Sequence, residues 1–212
     1  MVVSKRRTTG RAGFLTAEDW VRAAVGAIEE GGVGAVAVEP LAKKLGVTKG
    51  SFYWHFENRD ALLRAVLEWW QREATEAAIS ATRSIGAPRE RLVRLTEEAF
   101  GDDPHRVGSS PEREISLGRT FELAISDAAD DPIVRPVLRH VTERRIDYLE
   151  ECYRSLGFSP EEASHRALLV YAAYAGTMRL VRDAPGRLPT GEGYRSYKRH
   201  LAATLVPEGD AR

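Results

Sequence analysis

The chain has 212 residues, 43% of them hydrophobic and 29% charged, which suits one large domain or a small domain followed by a larger one. No apolar run approaches the roughly 18–20 residues of a membrane span, and the N-terminal residues lack the apolar region of a secretory signal. Cys152 is the only cysteine, which excludes an intrachain disulfide. These features predict a cytoplasmic protein without membrane association.

The charges are unevenly distributed although the formal net charge is zero. Residues 1–56 carry eight lysines and arginines against five aspartates and glutamates, a net +3 that the rest of the chain balances with −3. A basic N-terminal segment favours a polyanionic partner at that end of the protein. Basic tails are common, however, so the asymmetry alone does not establish such a partner.

The first predicted elements are a flexible basic tail over residues 1–12 and three short helices. Thr16 and Asp19 have the spacing of a capping box, and Gly31-Gly32 ends the helix that they open. A second helix is predicted over residues 39–45, and a third begins after Thr48.

A long fourth helix is predicted over residues 58–81, without proline or glycine, as a stiff connector to the rest of the chain. The proline, glycine and capping residues farther along the chain also indicate helices, and a loop is predicted over residues 101–113. Further helices are predicted over residues 88–101, 114–128, 138–156, 160–183 and 193–205. Ser159 is the predicted N-cap of the helix at 160–183. Because no alternating β-pattern, hairpin dipeptide or internal repeat is found, the predicted fold class is all-α.

The most informative stretch is LAKKLGVTKGSFYWHF at residues 41–56. Gly46 can adopt the left-handed conformation that ends one helix, and Thr48 can cap the next. Phe52 and Phe56 share one face of that second helix, while Lys49 and Tyr53 share another. The pattern predicts a helix-turn-helix whose second helix enters the major groove of DNA by its N-terminal half.

The aromatic run at residues 53–56 has an alternative interpretation as an ordinary patch of the helical core. Tyrosine, tryptophan and histidine in a row are usually packed in this way. A short solvated helix, however, has no reason to expose such side chains unless they contact a partner. The exposure of Tyr53 and Trp54 distinguishes the two interpretations.

Residues 13–70 resemble the DNA-binding domain of the TetR (tetracycline-repressor-type) regulators. The resemblance covers a little over a quarter of the chain, and the remainder shares only the family's general helical layout. The matching residues are Ala23, Ala24, Ile28 and Gly31, and the segment LAKKLGVTKGSFYWHFENRDALL at residues 41–63. One departure is Ala37, which stands where the family usually has serine or threonine as the cap of the second helix, a loss of about 1 kcal/mol of helix stability.

The resemblance implies a homodimer that binds a palindromic operator, most simply as a repressor, and is released when a small molecule occupies the C-terminal domain. It divides the chain into a helix-turn-helix domain at 13–73 and an effector-binding and dimerisation domain at 74–212. At matching positions it implies base contacts from Lys49, Gly50 and Ser51, contacts to the DNA backbone and nearby bases from Tyr53, Trp54 and His55, and phosphate contacts from Thr48 and Arg59.

The C-terminal region is predicted from general packing rules. Helices 138–156 and 163–181 are joined by a tight turn, so they pack antiparallel, and two copies would form a four-helix interface. Arg145 interrupts the apolar pattern of the first of these helices. The small residues expected at the interface are Ala163, Ala167, Ala172, Ala175 and Gly176.

Aromatic residues of the C-terminal region indicate an effector pocket with aromatic and hydroxyl-bearing walls, suited to a planar or moderately polar organic molecule. The alternative for each of them is plain core packing. The candidates are Trp69, Phe100, Phe121, Tyr148, Tyr171 and Tyr174.

No catalytic, cofactor or metal site is expected. The sequence has no glycine-rich phosphate loop or nucleophile elbow, and His105, His140, His165 and His200 are dispersed. The remaining alternative is a constitutive DNA-binding protein without an effector. Such a protein would shift random and upstream DNA equally in a gel, whereas an enzyme would shift neither.

Overall fold

The computed structural model describes residues 15–101 and 112–207, with side chains outside 112–119. The predicted basic tail, most of the predicted loop at 101–113 and His105 lie outside these residues. Within them the chain forms α-helices and no strand, as predicted. None of these helices is long and apolar enough to cross a membrane.

Ten α-helices follow one another in this part of the chain. They are α1 (Ala17–Gly31), α2 (Val38–Leu45), α3 (Lys49–Tyr53), α4 (Arg59–Gln71), α5 (Ala77–Arg83), α6 (Pro88–Phe100), α7 (Glu112–Asp127), α8 (Val134–Ser155), α9 (Pro160–Asp183) and α10 (Glu192–Leu205).

Local capping sets several helix ends, as the sequence predicts. Thr16 and Asp19 form a reciprocal capping box at the start of α1, with the Thr16 N–H donating to Asp19 Oδ2 over 2.8 Å. At the start of α9, Ser159 Oγ accepts from the Glu162 N–H over 3.2 Å. Ala37 begins α2 without a side-chain cap, so the departure noted in the sequence has its structural counterpart.

The predicted connector helix is continuous but not regular. α4 begins at the cap Asn58, a π-helical segment covers Arg72–Glu76, and α5 carries the helix on to Arg83. The prediction of one uniform α-helix was therefore wrong in its middle. A π turn holds one more residue than the hydrogen-bonding pattern of an α-helix accommodates.

Two hydrophobic clusters form the core. The first contains α1–α4, where Trp20 packs edge-on to Phe52 with ring centroids 5.2 Å apart, and it extends to Phe121 of α7 and the start of α8. The second joins α5, α6, α8, α9 and α10 around Tyr148 and Tyr153. Because α7 packs against α1, the bundle of α1–α4 rests directly on the larger helical body.

The small residues of α9 have two different environments. Ala163 and Ala167 are fully buried in the core of their own chain, so the expectation that they line an interface between chains was wrong. Ala172 and Ala175 are exposed, and the exposed leucines Leu168, Leu169 and Leu180 also lie on α9.

Glu29 on α1 makes the stability of the N-terminal helices depend on pH. Burial, with a smaller effect of Glu30, raises the pKa of its carboxyl group from 4.5 to about 7. The folded chain therefore binds more protons than the unfolded chain between these values, and the contribution of Glu29 to stability falls as pH rises through 7. We expect Glu29→Gln to raise the free energy of unfolding at pH 8 by about 1–2 kcal/mol, below the full linkage value because the side chain is partly solvated.

Urea unfolding of the wild type and Glu29→Gln at pH 5 and pH 8 measures this effect. Glu57→Gln is the matched control, since Glu57 is an exposed glutamate of the same N-terminal region and does not contribute to the pKa of Glu29. An equal gain at both pH values for Glu29→Gln would contradict the titration of Glu29.

Candidate nucleic-acid interface and ligand cavity

α2 and α3 form a helix-turn-helix with a tight connection. Gly46 ends α2 with φ of 70°, in the left-handed region, and the Val47 N–H donates to the Ala42 carbonyl over 3.0 Å. Thr48 stands at the N-cap of α3, but its hydroxyl makes no capping bond. The prediction that the Thr48 side chain caps α3 was therefore wrong.

The aromatic residues of α3 point to opposite sides. Phe52 is fully buried against Trp20, whereas Tyr53 is 60% and Trp54 88% exposed. The interpretation of this run as ordinary core packing was therefore wrong for Tyr53 and Trp54. Most of the predicted DNA-contacting residues at this site are accessible: Thr48, Lys49, Gly50, Tyr53, Trp54 and His55 are exposed, and Ser51 is half-buried.

Gly50 lies in the first turn of α3. A Cβ atom at this position would lie 3.5 Å from Thr48 Oγ1, which is an ordinary contact. Internal packing therefore does not require glycine here.

Lys49 has an acidic neighbour that the sequence did not reveal. Its Nζ lies 2.8 Å from Glu39 Oε2 of α2, and this hydrogen-bonded partner raises the pKa of Lys49. Both side chains are exposed, so the pair contributes little to stability and Lys49 can exchange it for another anion. Residue spacing within one helix gives no signal of this contact between helices.

Arg59 is held differently from its expected phosphate role. Its Nε and Nη2 donate to the carbonyls of Val36 and Val33 over 3.0 and 2.9 Å, and Nη1 pairs with Asp60 over 3.1 Å. The guanidinium thus links the start of α4 to the segment before α2.

A cavity of about 250 Å³ lies between the C-terminal helices and the connector. Three of the six predicted aromatic residues, Tyr148, Tyr171 and Tyr174, line it. The other lining residues are Ala74, Thr75, Ala78, Ile79, Leu95, Glu98, Ala99, Glu122, Arg145, Leu149 and Val170.

The other three aromatic candidates lie outside the cavity wall. Trp69 packs edge-on to Phe121 with ring centroids 6.4 Å apart, between α4 and α7. Phe100 is buried behind Tyr174, and its carbonyl accepts the Tyr194 hydroxyl over 2.6 Å.

Arg145 and Glu122 form an ion pair in the cavity wall, with side chains only 16% and 14% exposed. Nη1 donates to Glu122 Oε1 over 2.5 Å and Nη2 to Oε2 over 3.3 Å. Arg145 also reaches the connector, where Nε donates to Thr75 Oγ1 over 3.1 Å and Nη2 to the Ala74 carbonyl over 3.4 Å. Burial lowers the pKa of Arg145, but Glu122, Tyr174 and Tyr171 together raise it by more, so the guanidinium stays charged.

The sequence missed this pair because its members are far apart in the chain. The available signal was Arg145 itself, a charge that interrupts the apolar pattern of α8. Its guanidinium carbon lies 5.7 Å from the Trp70 ring centroid and 5.9 Å from that of Tyr174. One side chain thus contacts α4, the π segment, α7 and α9.

In the part of the chain that the structure describes, no cluster of histidine, cysteine, aspartate or glutamate side chains is placed to hold a metal ion. An all-α chain with an N-terminal helix-turn-helix that exposes Lys49, Tyr53 and Trp54 belongs to the class of DNA-binding transcriptional regulators. The family within that class follows from comparison with known proteins.

Residues 21–66 match the model of the family described as bacterial regulatory proteins, tetR family. This match identifies residues 21–66 as a DNA-binding domain of the TetR type. It is 44% identical over 48 residues to the class A tetracycline repressor protein from transposon 1721 of Escherichia coli, a match covering 23% of this chain and 22% of the repressor. It is also 26% identical over 179 residues to the HTH-type transcriptional regulator CymR of Pseudomonas putida, covering 81% of this chain and 82% of that protein.

The whole fold is similar to solved structures of regulators. One is a transcriptional regulator from Saccharomonospora viridis in complex with choline, which superposes with a TM-score of 0.72 at 19% identity over 92% of this chain and 98% of that one. At this identity the likeness concerns the fold alone.

Proposed function

We propose that the protein is a ligand-responsive repressor that binds a palindromic operator as a homodimer and is released by a small-molecule effector. The observation that carries the DNA-binding part is the exposed surface of α3. Lys49, Tyr53 and Trp54 stand on a short helix whose opposite face is anchored in the core by Phe52. A helix held in this way can enter the major groove as a rigid unit.

Loss of either side chain from α3 is expected to weaken operator binding. Lys49→Ala and Tyr53→Ala should each cost about 1–3 kcal/mol of binding free energy without unfolding the chain, since both residues are exposed. Lys49→Ala should also relax the preference at one base position, whereas Tyr53→Ala should weaken all sequences alike if it contacts phosphate.

Gel shifts with the upstream DNA of the gene and with random DNA measure these effects. Glu39→Gln is the matched control, because it releases Lys49 from its ion pair without removing the lysine. Wild-type affinity in both alanine variants would contradict the assignment of α3 as the recognition helix.

A second copy of the chain is the proposed occupant of the exposed face of α9. Leu168, Leu169 and Leu180 are exposed there beside Ala172 and Ala175. An isologous contact would let α8 and α9 of two chains form a four-helix interface. The two copies of α3 would then read half-sites one turn of DNA apart, roughly 34–36 Å.

The effector is proposed to act through the connector helix. The cavity is bounded by Ala74 and Thr75 of the π segment, and Arg145 donates hydrogen bonds to both of these residues. A molecule that moves Arg145 therefore acts on the helix that begins beside α3. Related folds bind small molecules, such as the Saccharomonospora viridis regulator with choline.

A break in the connector is expected to uncouple the two sites. In a variant with glycine at Arg72 and Glu73, DNA and effector should each still bind, but they should no longer weaken one another, because the helix no longer transmits movement. Both side chains are exposed, and within the described part of the chain they pair with each other, so their loss removes little else. Alanine at both positions is the control that preserves the helix, and full antagonism in the glycine variant would show that another element transmits the signal.

A further inference from the structure

We propose, on the basis of the proposed effector site, that the cavity binds an uncharged aromatic molecule of one or two rings. Its size is the first reason. A cavity of about 250 Å³ lies below the range of roughly 300–1,000 Å³ in which drug-sized ligands bind. The ligand is therefore smaller than a typical drug.

The cavity walls favour an aromatic ligand. Tyr148, Tyr171 and Tyr174 present rings to it, among alanine, leucine, isoleucine and valine side chains. Two of the hydroxyl groups are already bound: Tyr148 OH lies 3.0 Å from Thr82 Oγ1, and Tyr171 OH lies 3.0 Å from Thr142 Oγ1. Neither threonine lines the cavity, so each of these hydroxyls already has a partner outside the cavity wall. Tyr148 and Tyr171 therefore offer a ligand their rings more readily than their hydroxyl groups, unlike the hydroxyl-lined wall expected from the sequence.

The charges of the walls disfavour an ionic ligand. Glu122 is paired with Arg145, and Glu98 with Arg94 over 2.8 Å, so every charged group of the cavity wall already has a counter-ion. A carboxylate ligand would have to displace Glu122 from Arg145 and then lie beside it. A cationic ligand would lie beside the like-charged Arg145 guanidinium, which already lies over the face of the Tyr174 ring. Either ion would also lose its hydration on entry.

One hydrogen-bond donor remains for a neutral ligand. A guanidinium has five N–H groups, and four contacts from Arg145 to described residues are present. The fifth N–H can bind a carbonyl oxygen. A neutral aromatic ketone thus fits the size, the rings and this donor together.

Equilibrium dialysis of the full chain with three naphthalene probes tests the proposal. The probes are 2-acetylnaphthalene, 2-naphthoate and (2-naphthylmethyl)trimethylammonium, which share one ring system and differ in charge. We expect the ketone to bind at least tenfold more tightly than either ion. Equal or tighter binding of the carboxylate or the ammonium, or no binding of the ketone, would overturn the proposal.

A pair of variants on α5 locates the binding. Ala78 lines the cavity, whereas its neighbour Ala77 is exposed on the same helix and does not. Ala78→Phe should abolish ketone binding and Ala77→Phe should leave it unchanged, with circular dichroism confirming that both fold. Ketone binding that survives in Ala78→Phe would overturn the assignment, and if that variant does not fold, the charge series alone decides.

Gel shifts with the same variants separate this inference from the proposed function. Ala78→Phe should still bind upstream DNA, since α3 is untouched. If the protein binds the ketone but no DNA, the proposed repressor function is contradicted. If it binds DNA but prefers a charged probe, only the proposal of an uncharged ligand is contradicted.

Discussion

Replacing Leu168 and Leu169 together with arginine is expected to convert the protein to a monomer and to lower its operator affinity at least about 100-fold. The two charges would face the partner's α9 without counter-ions, which is costly in a buried interface. A monomer holds one half-site only and loses the gain from linking two binding events, about 100-fold or more. Both leucines are exposed within the chain, so the fold of the monomer should survive.

Size-exclusion chromatography and gel shifts measure the two effects. Ser80→Arg adds a charge at an exposed position of α5 and serves as the control. Ala167→Arg is unsuitable for this purpose, because Ala167 is buried in its own core and the variant would unfold. An unaltered dimer in the double leucine variant would place the interface on another face.

The second large effect is expected from Arg145→Met, which should lower the free energy of unfolding by about 3–5 kcal/mol. The substitution leaves the Glu122 carboxylate buried without its counter-ion and removes the hydrogen bonds to Ala74 and Thr75. Replacing Glu122 with leucine in the same chain should recover most of the loss, because no isolated charge remains. The Arg145–Glu122 pair therefore affects stability mainly because breaking it leaves a buried charge without a counter-ion.

Urea unfolding of the two single variants and the double variant gives the coupling between these residues. Arg139→Met is the control on the same helix, where the exposed pair with Glu143 contributes about 1 kcal/mol or less. Single and double variants of equal stability would mean that the Glu122 carboxylate is solvated.

The features that were predicted correctly depend on residues close together in the sequence. The Thr16–Asp19 box, the left-handed Gly46 and the Ser159 cap each depend on contacts within four residues, and each is confirmed. The predicted α3 surface also follows from a local pattern. By contrast, the contact between Arg145 and Thr75 joins residues 70 positions apart, and no local pattern reports it.

The same limit explains the predictions about α8 and α9. Periodicity shows that Ala163 and Ala167 share a face, but not whether that face meets its own chain or another. The structure turns them inward and leaves Leu168 and Leu169 outside. Aromatic character alone did not predict which residues line the cavity. Phe121 packs in the core against Trp69 of α4, whereas Tyr171 lines the cavity.

The π segment determines which residues of the connector helix face the cavity. An α-helix turns about 100° with each residue, and the π turn at Arg72–Glu76 absorbs one residue without that turn. A connector of the same length that was α-helical throughout would therefore rotate everything that follows by about 100°. Ala78 and Ile79 would leave the cavity wall, although α4 would still lie correctly beside α3. The π turn therefore sets the rotation of the half of the helix that lines the cavity relative to the half that belongs to the helix-turn-helix domain.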